Sequence, residues 1–413
     1  MPENVPLNFA SKQARHVWDL LNAPFSKRRK RVYKLRHSHS QFGKFTGTLS
    51  KEQHKLWSQT FEAAQTDYFK WLPSLKTSKI EVPAATTPFK VSIVMTRFIG
   101  REAHGIENDF TSHFSASARA AGLDCQTLHL DHLYRPDADF ETECASIARQ
   151  LEEHKPDLVV FDGNIPRGPG EFNSERIANL RHRLNFKTLC VIGDLYDIRQ
   201  EDCLSHWQDC SDLFLIFNKR SKHFLNFTRR KDVLVKPFLP FCEDLFHPQD
   251  EKHLDFYYCG ARSRQREEFL NALRSTDLNY LTRFHNRTTT TAVPVEIYHK
   301  ELASARMTFG NGYINAHNNI ITGRVGEAIL SRTLVLYEDG SDLSDYLFPF
   351  VHYVPVQTIH DFCQAAIYLK SNPSLISNMV DAAHSFWHEH YSSRLFWARL
   401  RALTAPAIDK GAS

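Results

Sequence analysis

Apolar residues first recur at helical spacing. Over 11–22 they are Ala14, Val17, Leu20 and Leu21, and over 50–72 they are Leu56, Trp57, Phe61, Tyr68, Phe69 and Leu72. Positions three and four apart share a helix face, so both stretches predict amphipathic helices. No strand signal occurs before residue 80, and a linker rich in Thr, Pro and Ala covers 77–88. From Lys90 the pattern changes to short apolar runs separated by helical stretches. Strands are predicted at 91–95, 126–130, 157–161, 188–192 and 213–217. Helices are predicted between them, ending near Ala121 and covering 138–153 and 173–184. A second series follows, with strands at 255–259, 278–284, 307–309 and 333–337 and an extended piece at 353–355. Its helices run from the 260–266 loop to Arg274, then over 295–304, 322–332, 359–369 and, as two helices, 373–403.

Strands alternating with helices of this length imply βαβ units and parallel sheets. Two such series predict two doubly wound α/β halves, which would face each other across a cleft. The seam between them reads Pro237-Phe238-Leu239-Pro240-Phe241-Cys242-Glu243-Asp244-Leu245-Phe246-His247-Pro248, and its three prolines favour a stiff crossing. Ligands of open α/β sheets sit at the carboxyl ends of the strands, so the loops at 97–105, 162–170 and 193–197 share one edge. The division expected is a helical, basic extension over 1–80, one half over 88–240, the other over 250–375, and helices over 376–405 that pack back on the rest.

Composition narrows the class. The 413 residues exceed one core, and 42% hydrophobic with 24% charged residues is ordinary for a globular chain. No apolar run reaches the roughly 20 residues of a membrane span, and no secretory leader is visible. The eight cysteines include no CxxC and fit buried thiols in a reducing compartment. A cytoplasmic protein is expected. The net charge of +4 is mild, but Lys27-Arg28-Arg29-Lys30-Arg31 is concentrated enough to meet RNA, an acidic polymer or the inner face of a membrane over 27–36. The simpler reading of that run is a solvated loop. His384, His388 and His390 share one late helix but lack a carboxylate–histidine set, so packing or exposure outweighs a metal site. No strand is followed by GxGxxG, which counts against a nicotinamide-dependent enzyme.

The chemistry concentrates at 320–337. Arg324 and Glu327 stand one turn apart on one face of a helix opening at Thr322–Gly323. A guanidinium beside free N–H groups suits phosphate, and a carboxylate one turn on suits two neighbouring hydroxyls. The alternative is a surface Arg–Glu pair. A second Gly-Arg turn, Gly260-Ala261-Arg262-Ser263-Arg264-Gln265-Arg266, follows a strand in the same half.

Four patterns together resemble a known family. They are the seam Glu243–Pro248, Tyr258-Cys259-Gly260-Ala261-Arg262 with Arg266-Glu267, Gly323-Arg324-Val325-Gly326-Glu327-Ala328 as an R-x-x-E-A element, and His352-Tyr353-Val354-Pro355 with Asp361-Phe362. The chain resembles a GT-B glycosyltransferase of the group 1 type, and more narrowly its CgeB-like branch, over about 240–390. The resemblance is weak over 90–235 and absent over 1–80. It implies the GT-B fold of two Rossmann-like domains, a nucleotide-sugar donor on the second half, a hydroxyl acceptor on the first, and no cofactor or metal. It also implies that the last helix crosses back to the first domain. By position, Glu327 would hold the ribose hydroxyls, Arg324 with the N–H groups near Gly323 would hold phosphate, and Arg262 or Arg266 after Gly260 would be a second clamp. This chain has Gly323 where many relatives carry a second Glu, and arginine where a lysine is common. Candidates for a base on the acceptor hydroxyl are His104, Asp194 and Asp197. The rival reading is a non-catalytic scaffold of the same fold that holds RNA, membrane or acidic polymer through its basic segment.

Overall fold

The computed structural model describes residues 48–72, 88–97, 109–130, 139–163, 173–193, 205–217, 233–236, 238–285, 293–315, 318–339 and 341–404. The 11–22 helix, the basic 27–36 run and the three candidate bases His104, Asp194 and Asp197 lie outside them.

The first described element is helix α1, Lys51–Trp71. Ser50 caps it, taking the Gln53 N–H while the Gln53 side chain returns to the Ser50 N–H. The first half then alternates β1 (Lys90–Met95), α2 (Asp109–Ala120), β2 (Asp124–His129), α3 (Phe140–His154), β3 (Leu158–Asp162), α4 (Ser174–Leu184), β4 (Lys187–Ile192), β5 (Leu213–Ile216) and β6 (Val233–Val235). Its sheet is parallel throughout, in the order β2-β1-β3-β4-β5-β6. The central strands are apolar on both faces, as a sheet covered by helices on both sides requires: Val91 to Met95, Leu158 to Phe161 and Leu189 to Ile192 are buried.

The second half contains β7 (Leu254–Ala261), α5 (Arg264–Ala272), β8 (Tyr280–His285), α6 (Val295–Ala303), β9 (Ala305–Gly310), a small hairpin β10 (Tyr313–Asn315) and β11 (Asn318–Asn319), α7 (Arg324–Leu330), β12 (Leu334–Glu338), β13 (Val354–Val356), α8 (Ile359–Lys370), α9 (Pro373–His390) and α10 (Ser393–Thr404). Its five-stranded parallel sheet has the order β13-β12-β9-β7-β8. In both sheets the chain starts in the middle, adds one strand on one side and then crosses to the other. The reversal falls between β1 and β3 in one sheet and between β7 and β9 in the other. Diverging helices leave a crevice at such a point, beyond the carboxyl ends of the strands.

Two helices tie the halves together. α1 lays its apolar face on the second half. Phe61 stacks on Tyr368 at 5.7 Å, Trp57 stacks on Tyr368 at 6.1 Å and gives its Nε1–H to Gln364 Oε1 at 3.3 Å, and Tyr68 meets His352 at 5.1 Å. The last helix does the converse: α10 carries Phe396 and Trp397 against Phe114 of α2, and Trp397 Nε1–H reaches Ser117 Oγ at 3.0 Å. The crossing at 238–246 is pinned where Glu243 accepts from the backbone N–H and the hydroxyl of Ser393, at 2.8 and 2.5 Å.

Candidate functional site

β7 and β9 end side by side, and three arginines gather at that reversal point. Arg266, from the first turn of α5, donates Nη1–H to the Ala261 carbonyl at 2.9 Å and Nη2–H to the Asn311 carbonyl at 3.4 Å. It thereby ties the carboxyl ends of the two strands. Arg262 points outward instead, 58% exposed, pairing with Glu267 at 3.0 Å and lying 5.4 Å over the Phe284 ring. The sequence left these two open as alternatives; the structure gives Arg266 the inward place and Arg262 the solvent rim.

Arg324 comes from the other side, at the start of α7. Its guanidinium lies 4.6 Å over the Tyr258 ring and donates Nη2–H to the Cys259 carbonyl on β7. Gly260 makes that approach possible, because a Cβ there would stand 2.8 Å from Tyr258 Oη and 2.9 Å from Arg324 Nη2. Burial alone would weaken the guanidinium charge, but Tyr258, Tyr298 and Glu327 around it outweigh burial and keep it charged.

Glu327 does not pair with Arg324. Its Oε2 accepts the hydroxyl of Tyr298, from α6. The surface-pair alternative therefore fails: each member of Arg324/Glu327 has its own partner on another element. α7 begins at Arg324 rather than Thr322, with Gly323 as its N-cap and no side chain to meet the first N–H groups. Among the described residues the backbone N–H groups of Gly323 and Arg324 are unpaired, and Gly323 is exposed. With only seven residues α7 is a small dipole, so the positive character at this edge rests on the arginine side chains.

A buried carboxyl completes the edge. Glu338 ends β12 at 8% exposure and accepts from the Asn311 amide. Burial pushes its carboxyl up to about 7, against the opposing pull of Asn311 and Arg266. The unfolded chain would ionise it near 4.5. Between those values unfolding releases a proton, so stability falls as pH rises from about 4.5 to about 7 and stays lower above. Glu338→Gln cannot ionise. Its Tm at pH 8 should exceed that of the wild type, with the gap closing by pH 4.5. The gain is at most about 3 kcal/mol, since a tenfold change in proton affinity is worth about 1.4 kcal/mol. Equal Tm values at pH 8 would contradict this.

At the seam, Phe246 lies between the rings of His113 on α2, at 6.1 Å, and His299 on α6, at 4.6 Å. Burial first, then His299, pushes His113 down to about 3, so it is neutral at ordinary pH. Tyr298, Asn311 and Glu338 carried no signal in the sequence, and Tyr258 appeared only as part of the strand before Gly260. Each reaches the site through a contact between elements far apart in the chain. No group of three or more metal-ligating side chains occurs among the described residues.

Residues 243–402 match a family described as glycosyl transferase-like. That stretch is a domain similar to this family. The fold around that domain is GT-B. HepE of Anabaena, solved in complex with UDP-glucose, superposes with a TM-score of 0.53 at 8% identity, covering 76% of this chain and 98% of that one. Sucrose-phosphate synthase of Thermosynechococcus elongatus gives 0.51 at 12% identity over 76% and 98%. S. aureus TarM shares 14% identity with a TM-score of 0.44; the chain spans 58% of TarM, with 64% of its own length matched. No curated protein matches the chain by sequence. The narrower CgeB-like likeness stays a resemblance of about 240–390. Among the described residues no helix is long and apolar enough to cross a membrane.

Proposed function

We propose that the chain transfers a sugar from a nucleotide-sugar donor to a hydroxyl acceptor without a metal ion. One observation carries this reading: a carboxylate and two arginines from two helices, Glu327 and Arg324 of α7 and Arg266 of α5, lie at the strand-order reversal of the domain that matches the glycosyl transferase-like family. Glu327 accepts from the ribose hydroxyls. The leaving diphosphate develops negative charge, and Arg266, Arg262 at the rim and the N–H groups of Gly323 and Arg324 meet it. Arg324 has its Nη2–H committed to Cys259, so it serves through its charge. That HepE was solved with UDP-glucose supports a nucleotide sugar as donor. The acceptor approaches from the first half, where His104, Asp194 and Asp197 are the candidates to take its proton. The basic 27–36 run brings the enzyme to an acidic polymer or a membrane surface.

The test is a thermal-shift screen with UDP, GDP, ADP and CMP, followed by hydrolysis of the matching nucleotide sugars. One nucleotide should raise Tm, and slow donor hydrolysis should be measurable. Glu327→Ala should remove the shift and lower hydrolysis by at least about a hundredfold, because two hydrogen bonds to a charged group are worth about 1.5–3 kcal/mol each. If no nucleotide shifts Tm and Glu327→Ala changes nothing, the rival scaffold reading takes its place.

A further inference from the structure

We propose that Tyr298 is a positioning residue that aims Glu327 at the donor's ribose and so sets the preference for a ribonucleotide. The proposal rests on the reading of Glu327 as the ribose ligand. Tyr298 lies on α6 and Glu327 on α7, and the hydroxyl of the first donates to Oε2 of the second. Burial, then the Glu327 charge, holds the Tyr298 phenol well above its ordinary range, so it remains a donor at any working pH. One carboxylate oxygen is thereby fixed by the protein.

The other oxygen has no hydrogen-bond partner among the described residues. A Cβ placed on Gly323 would stand 3.9 Å from Glu327 Oε1, and Gly323 is exposed. Oε1 thus lies near the exposed Gly323, at the amino end of α7. The terminal torsion of a glutamate is broad, and nothing intrinsic to the side chain selects this orientation. Arg324 stands three residues away on the same helix face, within easy reach of a carboxylate. Released from Tyr298, Glu327 would turn toward Arg324 and the two charges would close on each other. Tyr298 on one side and the Cys259 carbonyl on the other hold them apart. The acceptor capacity of Glu327 is therefore kept for the ligand.

A carboxylate aimed at the ribose reads the 2′-hydroxyl, which gives a readout that loss of structure does not imitate. UDP, GDP, ADP and CDP are each compared with their 2′-deoxy forms by calorimetry, and the base that binds is carried forward. The wild type should prefer the ribo form about tenfold, the worth of one hydrogen bond to a charged group. Tyr298→Phe should reduce that preference to about twofold while its affinity for the 2′-deoxy form is unchanged. A destabilised fold would instead weaken both forms alike, and that result, or a wild-type preference in Tyr298→Phe, overturns the proposal. Glu327→Gln separates the two levels. If it keeps the tenfold preference, or if no diphosphate binds the wild type, the ribose reading itself is lost and the role of Tyr298 with it.

Discussion

Deleting residues 1–72 is expected to leave a chain that does not fold to a soluble product, although the deletion stops well short of β1. The segment looks dispensable from its place in the sequence, since neither sheet takes a strand from its described residues. Yet Trp57, Phe61 and Trp71 are each only 2% exposed and Tyr68 8% exposed. Their partners are Phe348, Phe350, His352, Tyr368 and Phe386, all in the second half. Truncating one buried Phe or Trp to Ala typically costs about 3–5 kcal/mol. Losing several such contacts together exceeds the roughly 5–15 kcal/mol by which a domain is stable. It would also bare a cluster of large apolar side chains, the usual route to aggregation. The single variants Trp57→Ala and Phe61→Ala should each lower Tm by several degrees. A truncated chain that is soluble and melts within a degree or two of the full one would refute this account of α1.

Gly326→Ala should destabilise the protein by about 2 kcal/mol, the reverse of what helix propensity alone predicts. In an exposed helix interior the change from Gly to Ala gains about 1 kcal/mol. Here a Cβ would stand 2.7 Å from Phe241 Cδ2 and 2.7 Å from Trp387 Cη2. Neither ring has room to retreat. Phe241 is held between His113 at 4.7 Å and Trp387 at 5.9 Å, and Trp387 also meets Phe238 at 4.7 Å. Overpacking of this kind costs about 1–3 kcal/mol or somewhat more, which outweighs the propensity gain. A urea melt decides the sign, and a midpoint at or above the wild-type value would show that the seam yields.

The period of the apolar residues was enough to read the two α/β series, because strands buried on both faces are continuous apolar runs that few other structures imitate. It missed β6, whose three residues Val233–Val235 stand between charged neighbours, and the β10–β11 hairpin, which is largely polar and has no apolar period. Arg324 and Glu327 were legible as a pair because helical spacing is written in the sequence. Their actual partners were not. Arg324 bonds a backbone carbonyl, and every residue has one, so composition cannot mark Cys259 as its acceptor. Tyr298 meets Glu327 only because α6 and α7 flank the same strand, β9, and that neighbourhood exists only once the sheet order is known. The choice between Arg262 and Arg266 turned on the direction of the first turn of α5, again a property of the folded turn.

α1 lies on the second half and α10 on the first. The protein therefore cannot be divided by a single cut at the seam. A chimera that joins this second half to a foreign first half at residue 240 would leave α1 attached to the discarded partner, and the new molecule would lack the cover for Tyr368 and Phe350. It would also bring α10 to a surface that no longer offers Phe114 and Ser117. The second half can be transplanted only as a discontinuous unit, with 48–72 grafted alongside the half it covers and the α2 surface rebuilt to receive α10.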